Sequence, residues 1–391
     1  MGPAASRRSG LLVLVALVAS ASAACTATTP AATSPLATAS AARPTSAGPT
    51  SAGPTSAGPA TATASTSSPS ALPLGTPATG GAPLVKRTAY VLGNVQGHLR
   101  MVHPDGTGGR ILVPSVDVLG ESNGVIVGDW SPDGRRVAFT RVHREVQPFT
   151  ASQWVAMSDG SGAREVVRCT RPCLRAGLGA FSPKGDQLAY AITETDAAAT
   201  RATRNAVEVV TLATGRRRVV AETRDPQVEL SYPRWSPDGR RLVVQVTHWP
   251  AAPATATAPP SGSPQIAVLD LARPRTQVPR VLAPGLPGTY PDWSWKTDTI
   301  VFSTNDPDVV NGDAEHDLWT VRPDGTRLRQ VTHLQQPALA MHPTWTPDGT
   351  ILFEHCVAMP ACYLAYASAD GSVVQTPQDL QAVWPRVRPQ P

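Results

Sequence analysis

One position recurs six times in this sequence, as Trp, Phe or, once, Val. Charged residues and ring-bearing residues stand at two fixed distances before it. The residue directly before that position is charged at four places: Asp129, Arg234, Asp292 and Arg386. Two residues earlier, four side chains carry rings: Tyr232, Tyr290, His342 and Trp384. Such a set can form ion pairs and packed rings, or it can bind a peptide or small ligand. The choice depends on the elements that hold these residues.

The elements belong to a repeat of about 50 residues. Successive aromatic positions are 51, 54, 58 and 52 residues apart. Ser-Pro-Asp-Gly follows Trp130 and Trp235, and the other units carry variants of it, the most degenerate after Trp293. In this segment Pro presets φ and Gly accepts positive φ, so it predicts a tight turn. Alternating apolar residues after the turn predict a returning strand, and each unit offers two further strands. The aromatic positions are Trp130, Phe181, Trp235, Trp293 and Trp345.

This repeat resembles that of TolB-like proteins, whose units carry Trp-Ser-Pro-Asp-Gly-x-x-Ile-Ala-Phe and a later Asp-Gly turn. The resemblance covers residues 85–391 and implies an all-β fold, a six-bladed β-propeller of four-stranded blades. Five blades begin at the aromatic positions, and we expect the sixth to be split. Its first strand, around Trp384, comes from the C-terminus, and its later strands come from the segments starting at Thr88 and His98. This strand would close the ring and remove an exposed sheet edge.

The ring order predicts which of these residues are neighbours. Starting from the split blade, the position before the aromatic residue is Arg386, Asp129, Ala180, Arg234, Asp292 and Thr344, and the earlier position is Trp384, Val127, Leu178, Tyr232, Tyr290 and His342. Opposite charges therefore fall on adjacent blades twice. Two interpretations stay open. The charges form salt bridges and the rings pack between blades, or together they form a channel mouth that receives a peptide or small ligand.

The N-terminal part of the chain predicts export. Residues 1–24 have the order of a secretory signal, with Arg7 and Arg8 before an apolar run and small residues before Cys25. Cys25 after Ala24 resembles the lipobox of bacterial lipoproteins, which implies a lipid anchor in the cell membrane; plain secretion is the alternative. Residues 25–84, mostly Ala, Thr, Ser, Pro and Gly, predict a disordered stalk. Both alternatives place the domain of residues 85–391 outside the cytoplasm.

The other four cysteines form two close pairs in the sequence. Cys169 lies near Cys173, and Cys356 lies near Cys362. We expect a disulfide within each pair, because each would fix a turn in an oxidising compartment. A zinc site of four thiolates is the less favoured alternative, since the spacings are not the two-residue knuckles that zinc sites prefer.

Charge and motifs exclude several functions. From residue 85 onward the chain has 31 Lys and Arg against 29 Asp and Glu, and a net charge of +2 does not predict a nucleic-acid partner. The sequence contains no serine-hydrolase, zinc-protease or phosphate-loop motif, so we expect neither an enzyme nor a cofactor. The acidic loop 305–317 is dense enough in oxygen ligands for Ca²⁺, but its register does not fit an EF-hand, which favours a solvated loop.

These observations lead to two hypotheses about function. The first is a monomeric, non-enzymatic binding module of the cell envelope that contacts an envelope protein or peptide through the channel mouth and blade loops. The alternative is an envelope enzyme, or a binder of carbohydrate or small ligands that uses the central channel. Metal or polar side chains that converge on the channel favour the alternative, whereas a salt-bridged channel favours protein binding.

Overall fold

The computed structural model describes residues 91–389, apart from 96, 104–105, 115, 119–120, 145, 147, 200, 251–261, 305–316, 335–337, 359–360, 369–370, 372–373, 376–382 and 388. The predicted signal, Cys25, the stalk and nearly all of the acidic loop 305–317 lie outside the described residues. In the described ranges every regular element is a β-strand, which confirms the predicted all-β class. A search of the same ranges finds no helix with the length and apolarity needed to span a membrane.

Strands follow one another along the whole described chain. In chain order they are β1 (Val91–Val95), β2 (His98–Val102), β3 (Arg110–Val113), β4 (Val116–Val118), β5 (Glu121–Asn123), β6 (Val125–Trp130), β7 (Arg136–His143), β8 (Thr150–Met157), β9 (Arg164–Val167), β10 (Cys173–Phe181), β11 (Gln187–Thr195), β12 (Ala202–Thr211), β13 (Arg217–Thr223), β14 (Val228–Trp235), β15 (Arg241–His248), β16 (Ser263–Asp270), β17 (Arg280–Val281), β18 (Thr289–Trp293), β19 (Ile300–Ser303), β20 (Leu318–Val321), β21 (Arg329–Gln330), β22 (Leu339–Trp345), β23 (Ile351–Ala358), β24 (Ala361–Ala367), β25 (Val374–Gln375) and β26 (Val383–Val387).

Most of these strands form four-stranded antiparallel groups of chain neighbours. Strands β14 to β17, β18 to β21 and β22 to β25 are separate sheets. Strands β6 to β9 and β10 to β13 form two groups that one parallel pairing, Arg175 opposite Ala151, joins into a larger sheet. The remaining four-stranded sheet has the order β26-β1-β2-β3, so a C-terminal strand pairs with β1. A small hairpin, β4 and β5, stands between two groups.

The Ser-Pro-Asp-Gly segments form the turns that the sequence predicts. In the turn between β6 and β7, the Ser131 hydroxyl donates to Asp133 at 2.5 Å, and the Gly134 amide donates to the Ser131 carbonyl at 2.8 Å. Gly134 has a φ of 62°, which only glycine adopts without strain. The turn between β14 and β15 repeats these contacts, with Gly239 at 68°. Each turn leads directly into the buried second strand of its group.

The recurring aromatic residues join neighbouring groups. Each one ends the first strand of its own group and packs against the preceding group. Trp130 packs with Leu99 and Met101 of β2, and Trp293 packs with Ile266 and Val268 of β16. All five aromatic side chains are buried: Trp130, Phe181, Trp235, Trp293 and Trp345. Because a large aromatic ring removes roughly 150–250 Å² from water, this position contributes strongly to the cohesion between groups.

Candidate functional site

A bulge precedes the aromatic residue in each of the five first strands that end with one, and the pairing of β26 with β1 has a similar register shift. The pairing register shifts there, for example between Ser231 and Arg234 in β14. At the bulge, five non-glycine residues have left-handed φ values between 50° and 59°: Leu178, Tyr232, Tyr290, His342 and Trp384. Each such residue costs on the order of 1–3 kcal/mol and persists only where surrounding contacts hold it. These five are residues that the sequence placed at one equivalent position.

The four ring-bearing residues lie together as a continuous row. The ring centroids of Tyr232 and Tyr290 are 4.9 Å apart, those of Tyr290 and His342 are 4.0 Å apart, and those of His342 and Trp384 are 5.3 Å apart. Tyr232 and Trp384 also pack against the cluster that contains Leu178. The two ends of the row therefore pack against the same apolar cluster. Burial raises the pKa of Tyr290 to about 12, so its hydroxyl stays protonated at neutral pH.

His342 is held at both ring nitrogens. Its Nδ1–H donates to Glu354 Oε2 at 2.6 Å, and the indole N–H of Trp384 donates to its Nε2. Because an indole nitrogen only donates, Nε2 is the acceptor and the imidazole is neutral. Burial lowers the pKa of His342, and the charge of Arg386 adds to that effect, although Glu354 opposes it. In this arrangement neither nitrogen is free to accept a proton from a substrate.

Glu354 is the member of this site that the sequence analysis missed. It is buried in β23, opposite Met341 of β22. The sequence could have identified it, because Glu354 follows the apolar residues of a predicted buried strand, where a carboxylate needs a partner.

The two aspartates bind the next group of strands. Asp292 Oδ2 accepts hydrogen bonds from the Trp345 amide at 2.8 Å and from the Thr344 hydroxyl at 3.0 Å. Asp129 Oδ2 accepts from the Phe181 amide at 3.1 Å. In both cases the carboxylate reaches the backbone of the next aromatic position. Burial raises the pKa of Asp129 to about 6, although Arg234 and Arg386 lower it.

The two arginines differ in their partners. Arg234 Nε lies 3.7 Å from Asp292 Oδ1, and Arg234 also donates to the carbonyls of Pro233 and Gly128. Arg386 donates only to the carbonyls of Pro385 at 3.1 Å and Pro343 at 3.4 Å. Among the described residues no carboxylate oxygen lies within 4.0 Å of an Arg386 nitrogen, and its buried Nε makes no hydrogen bond. Burial lowers the pKa of Arg386 to about 10.

The structure thus brings Arg234 and Asp292 together as an ion pair, whereas Arg386 and Asp129 are near each other without direct contact. All four charged side chains line one small cavity, the central cavity, with a volume of about 20 Å³. Aromatic side chains complete its wall: Phe181, Trp235, Trp293, Trp295 and Trp345. Trp295 is 38% exposed and marks the solvent side. A space this size holds about one water-sized group, so it suits a single small polar group.

The remaining predicted sites have simple local explanations. The structure contains disulfides Cys169–Cys173 and Cys356–Cys362, the local pairing that the sequence analysis favoured. Glu354 lies close to Cys356 and Cys362, but the two sulfurs are bonded to each other and are not free thiolates. Of the acidic loop, only Asp317 is described, and its carboxylate accepts hydrogen bonds from Thr332 at 2.6 Å and Gln330 at 2.9 Å.

Comparison with known proteins gives the fold. No family model and no curated protein matches the sequence. Among solved structures, TolB from Acinetobacter baumannii matches at 15% identity with a TM-score of 0.53, covering 77% of this chain and 66% of TolB. A chain of a nidogen/laminin complex matches at 12% identity with a TM-score of 0.54, covering 77% and 98%. Hydrazine synthase from Kuenenia stuttgartiensis matches at 12% and 0.51, covering 77% and 46%. These likenesses show a TolB-like β-propeller fold.

Proposed function

We propose that this protein is an extracytoplasmic, non-enzymatic binding module built on a six-bladed propeller. In this proposal each four-stranded group is one blade, and β26 closes the ring by completing the blade of β1, β2 and β3. The pairing of Val387 with Val91 supports closure, as does the packing of Trp130 against Leu99. The two disulfides suit an oxidising compartment. The proposed anchor is the lipidated Cys25, at the start of the predicted stalk.

Arg386 is the observation that carries the binding proposal. Its guanidinium is buried at the central cavity, bonds only to two backbone carbonyls and keeps one N–H without an acceptor. A buried charge without a carboxylate is costly, and a ligand that supplies one forms a strong, charge-assisted hydrogen bond. We infer that a carboxylate of an envelope protein or peptide enters the cavity and binds Arg386.

The volume of the cavity and its rim define how such a ligand would bind. A volume of about 20 Å³ admits only the tip of a ligand, such as one carboxylate oxygen. The rest of the ligand would therefore lie on the outer surface, where the exposed part of Trp295 offers an apolar contact. The protein would therefore recognise the terminal carboxylate of an acidic side chain or of a free C-terminus.

The test is capture of partners from membranes with the full-length protein. We expect the wild type and the control Arg168→Gln to retain the same envelope protein, and Arg386→Gln to lose it. Arg168 is a matched control because its side chain is 76% exposed and pairs only with its neighbour Glu165. Thermal unfolding followed by circular dichroism checks that both variants fold.

A competition experiment keeps the proposal testable if Arg386→Gln fails to fold. The captured wild-type complex is washed with N-acetylglutamate or with N-acetylglutamine amide, in which uncharged amides replace both carboxylates. We expect only the carboxylate to release the partner. Retention of the partner by a folded Arg386→Gln, or equal release by both compounds, would show that Arg386 is not the binding group.

A further inference from the structure

One turn departs from the repeat and exposes residues of a different kind. Where the other aromatic positions are followed by Ser-Pro and a Gly turn, or by Thr-Pro-Asp-Gly, the segment between β18 and β19 reads Ser294-Trp295-Lys296-Thr297-Asp298-Thr299. The Ser294 hydroxyl accepts the amides of Lys296 at 3.3 Å and Thr297 at 3.2 Å, so the turn is held without glycine. This arrangement leaves Trp295 and Lys296 exposed to solvent. The turn touches two cavities, since Trp295 borders the central cavity and Lys296 borders a second one.

The second cavity is a wide groove with a volume of about 850 Å³. We call it the basic groove. It lies beside the turns of three neighbouring groups. Six cationic side chains line it: Arg241, Arg280, Lys296, Arg322, Arg327 and Arg329. Three carboxylates, those of Asp298, Asp324 and Asp348, also border it. Cations therefore outnumber carboxylates by two to one, although residues 85–391 as a whole are close to neutral.

The three carboxylates are occupied by contacts within the protein. Asp298 accepts a hydrogen bond from the Trp293 indole at 3.1 Å and pairs with Arg241 at 3.6 Å. Asp324 accepts the Thr326 amide at 2.9 Å and its hydroxyl at 2.6 Å. Asp348 accepts the amide of Thr350 at 3.2 Å. These contacts fix the turns, so the carboxylates are already used inside the groove.

Three of the cations remain for a ligand. Arg241 pairs with Asp298, Arg280 donates to the Pro323 carbonyl, and Arg329 also has an interaction within the protein. Lys296, Arg322 and Arg327 are exposed, and within the described ranges none of the three lies within 4.0 Å of a carboxylate oxygen. Guanidinium groups bind carboxylates and phosphates through paired hydrogen bonds, so these residues favour an anionic ligand.

The rest of the lining indicates the class of anion. Hydroxyl groups of Thr297, Thr299 and Thr320 border the groove, and Pro323 and Trp345 are its main apolar lining. Peptides bind mainly through apolar side chains seated in pockets, which this lining does not provide. A saccharide presents hydroxyls for the threonines and arginines and an apolar ring face for Pro323 and Trp345. We propose that the basic groove binds an acidic saccharide, one that carries carboxylates or phosphates.

The test is a calorimetric titration of the full-length protein with four oligomers of six units. These are a linked uronic acid, a phosphodiester-linked sugar, neutral glucose and glutamate. We expect at least one acidic saccharide to bind at least tenfold more tightly than both the glucose hexamer and hexaglutamate. The triple variant Lys296→Gln, Arg322→Gln, Arg327→Gln should weaken that binding at least tenfold.

The matched control removes the same charge from turns elsewhere. The variant Arg135→Gln, Arg201→Gln, Arg216→Gln loses three exposed arginines outside the groove and should bind like the wild type. The proposal is overturned if neither acidic saccharide binds, if hexaglutamate binds as tightly, or if the control loses as much affinity as the groove variant. Partner capture by Arg386 is measured separately and should be unchanged in the groove variant, which separates the two sites.

Discussion

The central cavity and the basic groove use the same residue types in opposite ways. In the central cavity, about 20 Å³ in volume, both aspartates bind the backbone of the next group and Arg234 pairs with Asp292. In the basic groove, about 850 Å³ in volume, the aspartates fix local turns and most cations face solvent. Charge buried between blades therefore serves cohesion, and charge on the turns is available for recognition. Arg386 is buried like the other charges of the central cavity, but like the free cations of the groove it has no carboxylate within 4.0 Å among the described residues.

The largest expected effect is the loss of the strand that carries Arg386. Deleting Trp384 to Pro391 removes the pairing of β26 with β1, the Trp384 bond to His342 and one wall of the central cavity. Trp384 is partly buried, and truncating a fully buried Trp side chain costs about 3–5 kcal/mol. Because the deletion also removes the whole strand pairing, we expect it to abolish cooperative unfolding or to lower the melting temperature by more than about 10 °C. Differential scanning calorimetry measures this.

A shorter deletion is the control for the first prediction. Removing only Gln390 and Pro391 leaves β26 intact and should leave the melting temperature unchanged. An unchanged melting temperature after the longer deletion would instead mean that the domain does not depend on ring closure. The basic groove lies away from β26, so neither deletion changes its lining residues directly.

A smaller effect separates the two regions by a single substitution in each. Asp292→Ala in the central cavity leaves the buried Arg234 without its ion pair and the Trp345 amide without an acceptor. We expect a loss of about 3–5 kcal/mol in the free energy of unfolding, measured by urea denaturation. Asp298→Ala in the basic groove removes a pair whose carboxylate is 58% exposed and the acceptor of the Trp293 indole, and it should cost only about 1–2 kcal/mol.

Similar losses in the two variants would contradict this division. A large cost for Asp298→Ala would mean that the groove is held together by its charges, which would weaken the case that its cations serve a ligand. A small cost for Asp292→Ala would mean that Arg234 finds a second partner, for which Asp129 is the nearest candidate.

The repeat predicted the elements well because each unit carries its own turn chemistry. Gly134 and Gly239 occupy left-handed positions that the Pro-Asp-Gly pattern demands, and the aromatic residue before each turn is buried as its spacing implies. The shared level of Asp129, Arg234, Asp292 and Arg386 could also be predicted, since equivalent strand positions line the same cavity. Local sequence was sufficient for these features.

The contacts of the site could not be predicted in the same way. The left-handed φ of Tyr232 and His342 depends on bulges whose extra residue is specified by packing between blades. The direction of each side chain then decides that Arg234 meets Asp292 and that Arg386 meets no carboxylate among the described residues. The basic groove was missed because its cations come from two groups and its other lining residues from a third, and because the turn at Trp295 departs from the repeat that the prediction followed.

The last comparison concerns pH, whose effect on stability has opposite signs in the two regions. Burial raises the pKa of Asp129 in the central cavity to about 6, so the folded state binds its proton more tightly than the unfolded chain does. This residue's contribution to stability is complete below about pH 4, the ordinary Asp value, and is lost as the pH rises to 6. A shift of roughly two pH units corresponds to about 3 kcal/mol. Urea denaturation of the wild type and Asp129→Asn at several pH values measures it as a difference between the two proteins that grows from pH 4 to pH 7.

Asp324 in the basic groove gives the opposite dependence. Hydrogen bonds from Thr326 lower the pKa of this exposed carboxyl, so its contribution is present above about pH 4 and is lost as the pH falls below that value. The pH profiles of Asp324→Asn and the wild type should therefore separate only above about pH 4 and stay parallel from pH 5 to 7, where the profiles of Asp129→Asn and the wild type diverge. The contrary result is a constant difference between the free energies of unfolding of Asp129→Asn and the wild type from pH 5 to 7. That result would mean that Arg234 and Arg386 stabilise the Asp129 carboxylate as fully as water does in the unfolded chain. Arg386 would then have a carboxylate partner of its own, and the cavity would have no need of one from a ligand.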